Sequence, residues 1–296
     1  MTADGRDEKL LIDKAVELLS ARYEGNDQFN NHIDGDEPIE IGSGRYPRSK
    51  VLFWLDQDAY VADKTAWEND EYNAKHEEAL ATIKSNGFEL RFADLLQAVA
   101  RDRLVPFVGA GMSKAAGMPL WSEALSQLLA RLPGADAAVI GADIAGGRYL
   151  EAAQALAGHD SAQTSNYIRT TYRVQRLRLA GPVMHLPRFA RGCVITTNFD
   201  DAVEKVFEAR GMEFRHYMHG TQEHNFFNRM VRGDRCILKL HGDAENDVTH
   251  ILTKPQYEGA YGNPFDFTKP LAKALRQIYV SQSLLFIGCH YCPVKS

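Results

Sequence analysis

A chain of 296 residues that is 45% hydrophobic and 25% charged has the composition of a soluble globular protein, with room for one large or two modest domains. Its formal net charge of -5 speaks against a nucleic-acid-binding footprint. Four cysteines over this length exclude a disulfide scaffold and point to a reducing cytoplasm; the opening Met-Thr-Ala-Asp-Gly-Arg-Asp carries no apolar secretory stretch, and no run reaches the roughly 20 apolar residues of a membrane helix.

In chain order, Leu10, Leu11, Ala15, Leu18 and Leu19 recur at helical spacing and predict an amphipathic helix over 8–22. Residues 25–48 are rich in Asn, Asp, Gly and Pro and read as a loop. Its carboxylates Asp34, Asp36 and Glu37 do not follow calcium-loop spacing, so a solvated loop is expected. Val51 to Leu55 reads equally as a short strand or a helix start, and the charged stretch 59–85 as a helix ending near Gly87. These features define an N-terminal, mostly helical extension over residues 1–88, either regulatory or an added packing layer.

A second regime covers 89–296. Phe92, Leu95, Leu96 and Val99 mark a helix that leads into an apolar strand, Leu104 to Val108. A helix over 122–131 follows, with Ser122 as its N-cap and Leu125, Leu128 and Leu129 inward. Strands are expected at 193–197, 235–240 and 283–288, and helices at 200–210, with Gly211 as stop, and at 268–281. His216, His219 and His224, with Asp234 beyond, read as a polar loop, since no metal-ligand spacing is present. Arg169, Arg173, Arg176 and Arg178 read as a solvated helix face. Alternating strands and helices imply an α/β domain with a Rossmann-like, doubly wound, mainly parallel sheet and helices on both faces. Ligands of such sheets sit at the carboxyl ends of the strands.

Four motifs fall at those ends. The first strand runs into Gly109-Ala110-Gly111, then Ser113 and Gly117, where glycines allow close approach and free N–H groups suit a pyrophosphate. The second is Thr196-Thr197-Asn198-Phe199-Asp200, which alone is equally a turn with Asn198 or Asp200 as N-cap. The third is Leu240-His241-Gly242, delivering a histidine that serves as a general base or as a structural group. The last strand opens on Gly288-Cys289.

In this order and spacing the motifs resemble the sirtuin superfamily over roughly 92–288, closest to bacterial antiphage-defence sirtuin-like NADases. The resemblance implies NAD+ as substrate. Gly109, Ala110, Gly111 and Ser113 match the phosphate loop, Asn198 the residue that meets the ribose and attacking water, Asp200 the aspartate near the carboxamide, and His241 the general base. Gly288 and Cys289 match the adenosine-side turn. Trp121 falls at the aromatic of the deacylases' Pro-Asp-Phe-Arg, and Thr197 at their usual glutamine. Deacylating relatives carry two Cys-x2-Cys pairs after the histidine; here no cysteine lies between Cys236 and Cys289, and Cys289-x2-Cys292 is a single pair, so no metal is expected. The implied activity is hydrolysis of NAD+ to nicotinamide and ADP-ribose in a gated defence effector. The implied partners are further copies of the chain or a co-encoded Argonaute-like protein or ATPase. A sensor that binds NAD+ or ADP-ribose, and a deacylase or ADP-ribosyltransferase, are the alternatives. The resemblance also implies further structure after the last strand, where the chain reads Cys289 to Ser296 and places His290 at an expected serine.

Overall fold

The computed structural model describes residues 3–35, 38–173, 179–220 and 226–289. Contacts divide the chain into two compact units, 1–90 and 91–296.

The first unit is built from α1 (Ala3–Glu24), α2 (Asp27–Asp34), a hairpin of β1 (Ile39–Ile41) and β2 (Gly44–Tyr46), α3 (Arg48–Leu55) and α4 (Gln57–Ser85). Its small core is Phe29, Phe53 and Tyr60, with Leu19, Tyr23, Ile33, Leu52 and Trp67 packed on it. The loop expected over 25–48 is corrected. Phe29 and Ile33 stand four apart, and burying that pair on one face makes 27–34 a helix despite its polar composition. Asn30 is buried, donating to the Tyr23 carbonyl and accepting from the Tyr60 hydroxyl. Asp34 accepts from the Ser49 N–H, and the hairpin turns at Gly42, whose φ is +61°. Asp36 and Glu37 lie outside the described residues. Residues 51–55 are helical, within α3. In α1 only Leu19 of the expected apolar stripe packs on the core; Leu10, Leu11 and Leu18 are exposed.

The division falls inside α5 (Glu89–Ala100), which precedes β3 (Leu104–Val108). Then come α6 (Trp121–Ala130), α7 (Ala137–Ala145), α8 (Tyr149–His159), α9 (Ser161–Tyr172) and α10 (Leu186–Phe189). The rest alternates: β4 (Cys193–Thr196), α11 (Ala202–Glu208), β5 (His216–His219), α12 (Phe226–Val231), β6 (Cys236–Lys239), α13 (Lys254–Tyr261), α14 (Pro270–Ser281) and β7 (Ser283–Ile287). Among the described residues, β3 to β7 form one sheet in the order β5-β6-β4-β3-β7, and every pairing is parallel. This is the Rossmann-like α/β sheet that the alternation predicts.

The period of two decides its packing. On one face Val105, Cys193, Ile195, Cys236 and Leu238 meet Phe226 of α12 and Leu271 and Ile278 of α14. On the other, Val108, Val194 and Ile237 meet Leu186 of α10 and Val203, Val206 and Phe207 of α11. A third cluster joins α6 to α9 through Leu125, Leu128, Leu156 and Ile168, and takes in Phe199, Ala244 and Leu252 from the loops leaving the sheet. α7 and α8 have no counterpart in the sequence reading, while α9 carries Arg169 of the helix face expected over 169–178 and ends at Tyr172.

Three expectations are corrected here. Ser122 lies inside α6, whose N-cap is Leu120; Glu123 reaches back to accept from the Leu120 N–H at 2.8 Å. His216 and His219 lie on strand β5 rather than in a loop, and His216 stands 3.6 Å from Asp234. The helix after β4 begins at Ala202, two residues late, because Asp200 bends the turn by accepting from the Ala202 N–H.

The chain leaves β3 toward β4 and β6 on one side and returns beside it as β7 on the other, so the switch of direction lies at the end of β3. There Gly109 and Gly111 press against the turn after β7. A Cβ on Gly109 would stand 2.5 Å from the Gly288 carbonyl oxygen. Gly109→Ala is therefore expected to lose about 1–3 kcal/mol of stability, since both contacting groups are backbone. Gly158→Ala, in open space on α8, is expected to gain about 0.5–1 kcal/mol. Urea titration of the two variants reads both signs.

Candidate active site

The site grows from the ends of β3, β4 and β6. After β4 the Thr196 hydroxyl donates to the Val108 carbonyl at 3.0 Å and accepts from the Asn198 N–H at 3.0 Å, which locks the turn to the end of β3. The Asn198 amide nitrogen donates to the Gly109 carbonyl at 3.2 Å and to Ser113 Oγ at 3.1 Å. Ser113 donates onward to Asp200 Oδ1 at 3.0 Å. The glycine loop, Ser113, Asn198 and Asp200 thus form one hydrogen-bonded chain. With its nitrogen fixed, Asn198 points Oδ1 the other way, and that buried oxygen has no hydrogen-bond partner among the described residues.

This arrangement corrects the expected use of the glycine loop. The Gly109 and Gly111 N–H groups are not free: they donate to the Ile287 and Gly288 carbonyls, each at 2.9 Å. Ser113 is fully buried, and its hydroxyl serves Asn198 and Asp200 rather than an open phosphate site. The glycines are needed for close approach to β7. Ala110 lines the small space described below. Gly288, with φ of +65°, and Cys289 close the loop from the β7 side; the Cys289 thiol donates to the Phe107 carbonyl, and burial pushes its pKa up. His290 and Cys292 lie outside the described residues.

Asp200 is buried, and desolvation pushes its pKa up against the lowering effects of the Ala202 N–H, Lys239 and Ser113. Lys239, the last residue of β6, is wholly buried. Its ammonium donates to the Phe199 carbonyl at 3.1 Å and to the Asp200 carbonyl, Glu204 and Asp243, each at 2.9 Å. Burial alone would lower its pKa, but the Glu204 and Asp243 carboxylates outweigh it and hold the ammonium above the usual lysine range. Sequence reasoning passed over Lys239. The available signal was a charge inside the apolar run Ile237-Leu238-Lys239-Leu240.

His241 follows two residues later. Its ring packs edge-on against Trp121 and Tyr257, at 5.8 and 5.7 Å, and lies 6.1 Å from Phe199. Part of the residue remains accessible, but Nδ1 is enclosed without a partner and Nε2 lies 2.7 Å from the Tyr257 hydroxyl. Burial drives the His241 pKa down to about 4, weakly opposed by the Thr197 backbone, so the ring is neutral at physiological pH. Gly242 must be glycine: its φ is +92°, and a Cβ would stand 2.3 Å from the Thr249 carbonyl oxygen.

Asn198 and His241 therefore share one edge of the sheet, since Thr196 and Lys239 are paired residues of adjacent strands. Ala110, Trp121, Tyr172, Thr197, Asn198, Phe199 and Asp200 line a small, partly open space of about 10 Å³, room for about one water. Trp121 and Tyr172 both pack on Phe199, at 5.9 and 5.8 Å. Among the described residues no three His, Cys, Asp or Glu side chains stand as a metal site. His224, Arg176 and Arg178 lie outside the described residues; Arg169 donates to Asn166 and Arg173 pairs with Glu245, both on the surface. No helix among the described residues is long and apolar enough to cross a membrane.

A doubly wound parallel sheet with polar side chains at its switch point is the architecture of a nucleotide-binding domain. Residues 192–291, from the entry to β4 past the end of β7, match the family model described as a SIR2-like domain. Over those residues the chain is similar to SIR2-like domains, which supports an NAD-related function and use of NAD+ by an enzyme. Comparison with curated proteins finds no match.

Two outcomes test the electrostatics. Lys239→Met leaves two carboxylates and two carbonyls without their cation and is expected to lose about 3–5 kcal/mol in denaturant unfolding. For His241 the folded pKa of about 4 lies below the unfolded value near 6.5. Its neutral-state contribution is complete above the unfolded value and is lost as pH falls through the folded one. Between pH 7 and pH 4 the wild type should lose about 2–3 kcal/mol more than His241→Gln, measured by urea unfolding at each pH.

Proposed function

We propose that the chain is an NAD+ glycohydrolase, releasing nicotinamide and ADP-ribose with consumption of one water. The observation that carries this reading is the convergence of Asn198, Asp200 and neutral His241 on one sheet edge, with Asn198 Oδ1 buried and unpartnered. That oxygen is an acceptor fixed in direction, and it fits a sugar hydroxyl or a water. NAD+ brings a nicotinamide–ribose bond whose cleavage builds positive charge on the ribose. Asn198 orients the hydroxyl or water that its Oδ1 accepts from. Asp200 lies beside it and offers negative potential to the developing charge. His241 takes the proton that the attacking water gives up, which it can do because burial keeps it neutral. Trp121 and Phe199 exclude bulk water from the reacting centre.

Hydrolysis is favoured over acyl transfer to or from lysine by the sequence itself, which lacks the paired cysteines between Cys236 and Cys289. The small space beside Asn198, packed by Trp121, Tyr172 and Phe199, supports a gated enzyme in which these rings move as a dinucleotide binds. Such gating suits a cytoplasmic effector of antiphage defence that depletes NAD+ on a trigger. Further copies of the chain or a co-encoded partner, an Argonaute-like protein or an ATPase, would supply that trigger.

The test is nicotinamide release from NAD+ by the purified chain, beside Asn198→Ala and His241→Ala. Both variants are expected to keep the fold and to fall by about 10²–10⁴-fold. Equal and measurable release from all three would remove this site from the reaction.

A further inference from the structure

His241 has no ring nitrogen directly open to a reacting molecule. Nδ1 is enclosed without a hydrogen-bond partner. Nε2 is covered by the Tyr257 hydroxyl at 2.7 Å. From this geometry we propose that Tyr257 is the proton relay of His241: its phenol donates to Nε2, the His241 proton sits on Nδ1, and a proton leaving the reacting hydroxyl reaches the imidazole through the Tyr257 oxygen. This rests, for its kinetic part, on the hydrolase reading.

A neutral phenol and a neutral imidazole hold one polar hydrogen each, and the bond between them holds one of the two. The other lies on the partly accessible Tyr257 oxygen or on the enclosed Nδ1. The Thr197 backbone favours a proton on the ring, and with Nε2 facing the phenol that proton belongs on Nδ1. Burial raises the Tyr257 pKa to about 12, so the residue remains a phenol.

The step balances. The Tyr257 O–H passes its proton to Nε2 as its oxygen accepts one from the attacking water. Tyrosine is unchanged, His241 becomes imidazolium, and the water becomes the nucleophile. Return of that proton to solvent by the same route resets the pair.

The scaffold holds the hydroxyl in place. α13 starts at Thr253, where Gln256 accepts from the Leu252 and Thr253 N–H groups, each at 2.8 Å. The Lys254 N–H donates to Gln154 of α8 at 3.0 Å. The Tyr257 ring stacks on Tyr261, which stacks on Phe265. Tyr257 itself stays partly accessible, as a conduit requires.

The experiment combines long-range proton–nitrogen NMR of histidine-labelled protein with steady-state kinetics. His241 is assigned by the signal lost in His241→Gln. The wild type should show the Nδ1–H tautomer. Tyr257→Phe should lose that fixed tautomer, and its kcat should fall about 10²-fold or more with KM within about twofold. A wild-type Nε2–H tautomer overturns the proposal, as does a Tyr257→Phe kcat that is unchanged or raised. Should Tyr257→Phe not fold, the wild-type spectrum decides alone. A wild type with the Nδ1–H tautomer that releases no nicotinamide would sink the hydrolase reading and leave the tautomer assignment standing.

Discussion

One buried ammonium sets the geometry on which the site depends. Lys239 ends β6, grips the two carbonyls of the turn after β4, and reaches Glu204 on α11 and Asp243 beyond His241. Its attraction to Glu204 and Asp243 outweighs the burial of the ammonium, and removing it would leave two buried carboxylates without their cation. A lysine with no access to water must find its acceptors in the fold, and these acceptors come from the segments that carry Asn198, Asp200 and His241. The pairing of Thr196 with Lys239 brings the two strand ends side by side, and the ammonium then fixes how each chain leaves the sheet.

The same enclosure sets the protonation states. Removal from water pushes Asp200 toward its neutral form and His241 toward its own, so both effects reduce charge near the end of β4. Ser113 and the Ala202 N–H counter the first by donating to the carboxylate. For His241 the Thr197 backbone opposes the shift only weakly, and Nδ1 has no hydrogen-bond partner among the described residues. The result is a weak base surrounded by aromatic rings beside an asparagine with one acceptor unsatisfied. Such groups are expensive for stability and uncommon in native interiors, and active sites are where they collect.

Much of this was legible in the chain. The apolar runs gave β3, β4, β6 and β7 to within about a residue; β3, β4 and β6 are buried on both faces and have no alternation to misread. Four motifs at strand ends placed Asn198, Asp200 and His241 together. What escaped was non-local. α2 is polar by composition and helical because Phe29 and Ile33 reach Phe53 and Tyr60. β5 reads His-Tyr-Met-His, and only its pairing with β6 and the burial of Met218 make it a strand. α7 and α9 carried readable caps, Asp136 and Asp160, whose side chains accept from Val139 and Gln163. Tyr257 lies 16 residues beyond His241 with no local pattern to join them. The free N–H groups expected of Gly109 and Gly111 were absent because β7, more than 170 residues later, accepts from both.

The small space beside Asn198 follows from the position of the α6–α9 layer. That layer shares its core with Phe199, Ala244 and Leu252, so it is packed on the loops that leave the sheet rather than on the sheet itself. The contacts packing the space are Trp121 and Tyr172 on Phe199, with a long 3.4 Å bond from the Tyr172 hydroxyl to the Pro119 carbonyl. Aromatic pairs of this kind are worth about 0.5–1.5 kcal/mol each beyond their buried area. Separating the rings would leave untouched the Lys239 cluster and the Ser113–Asn198–Asp200 chain, which hold the catalytic candidates in register. The polar network at the sheet edge and the aromatic pairs of Trp121 and Tyr172 with Phe199 are thus held by separate sets of contacts.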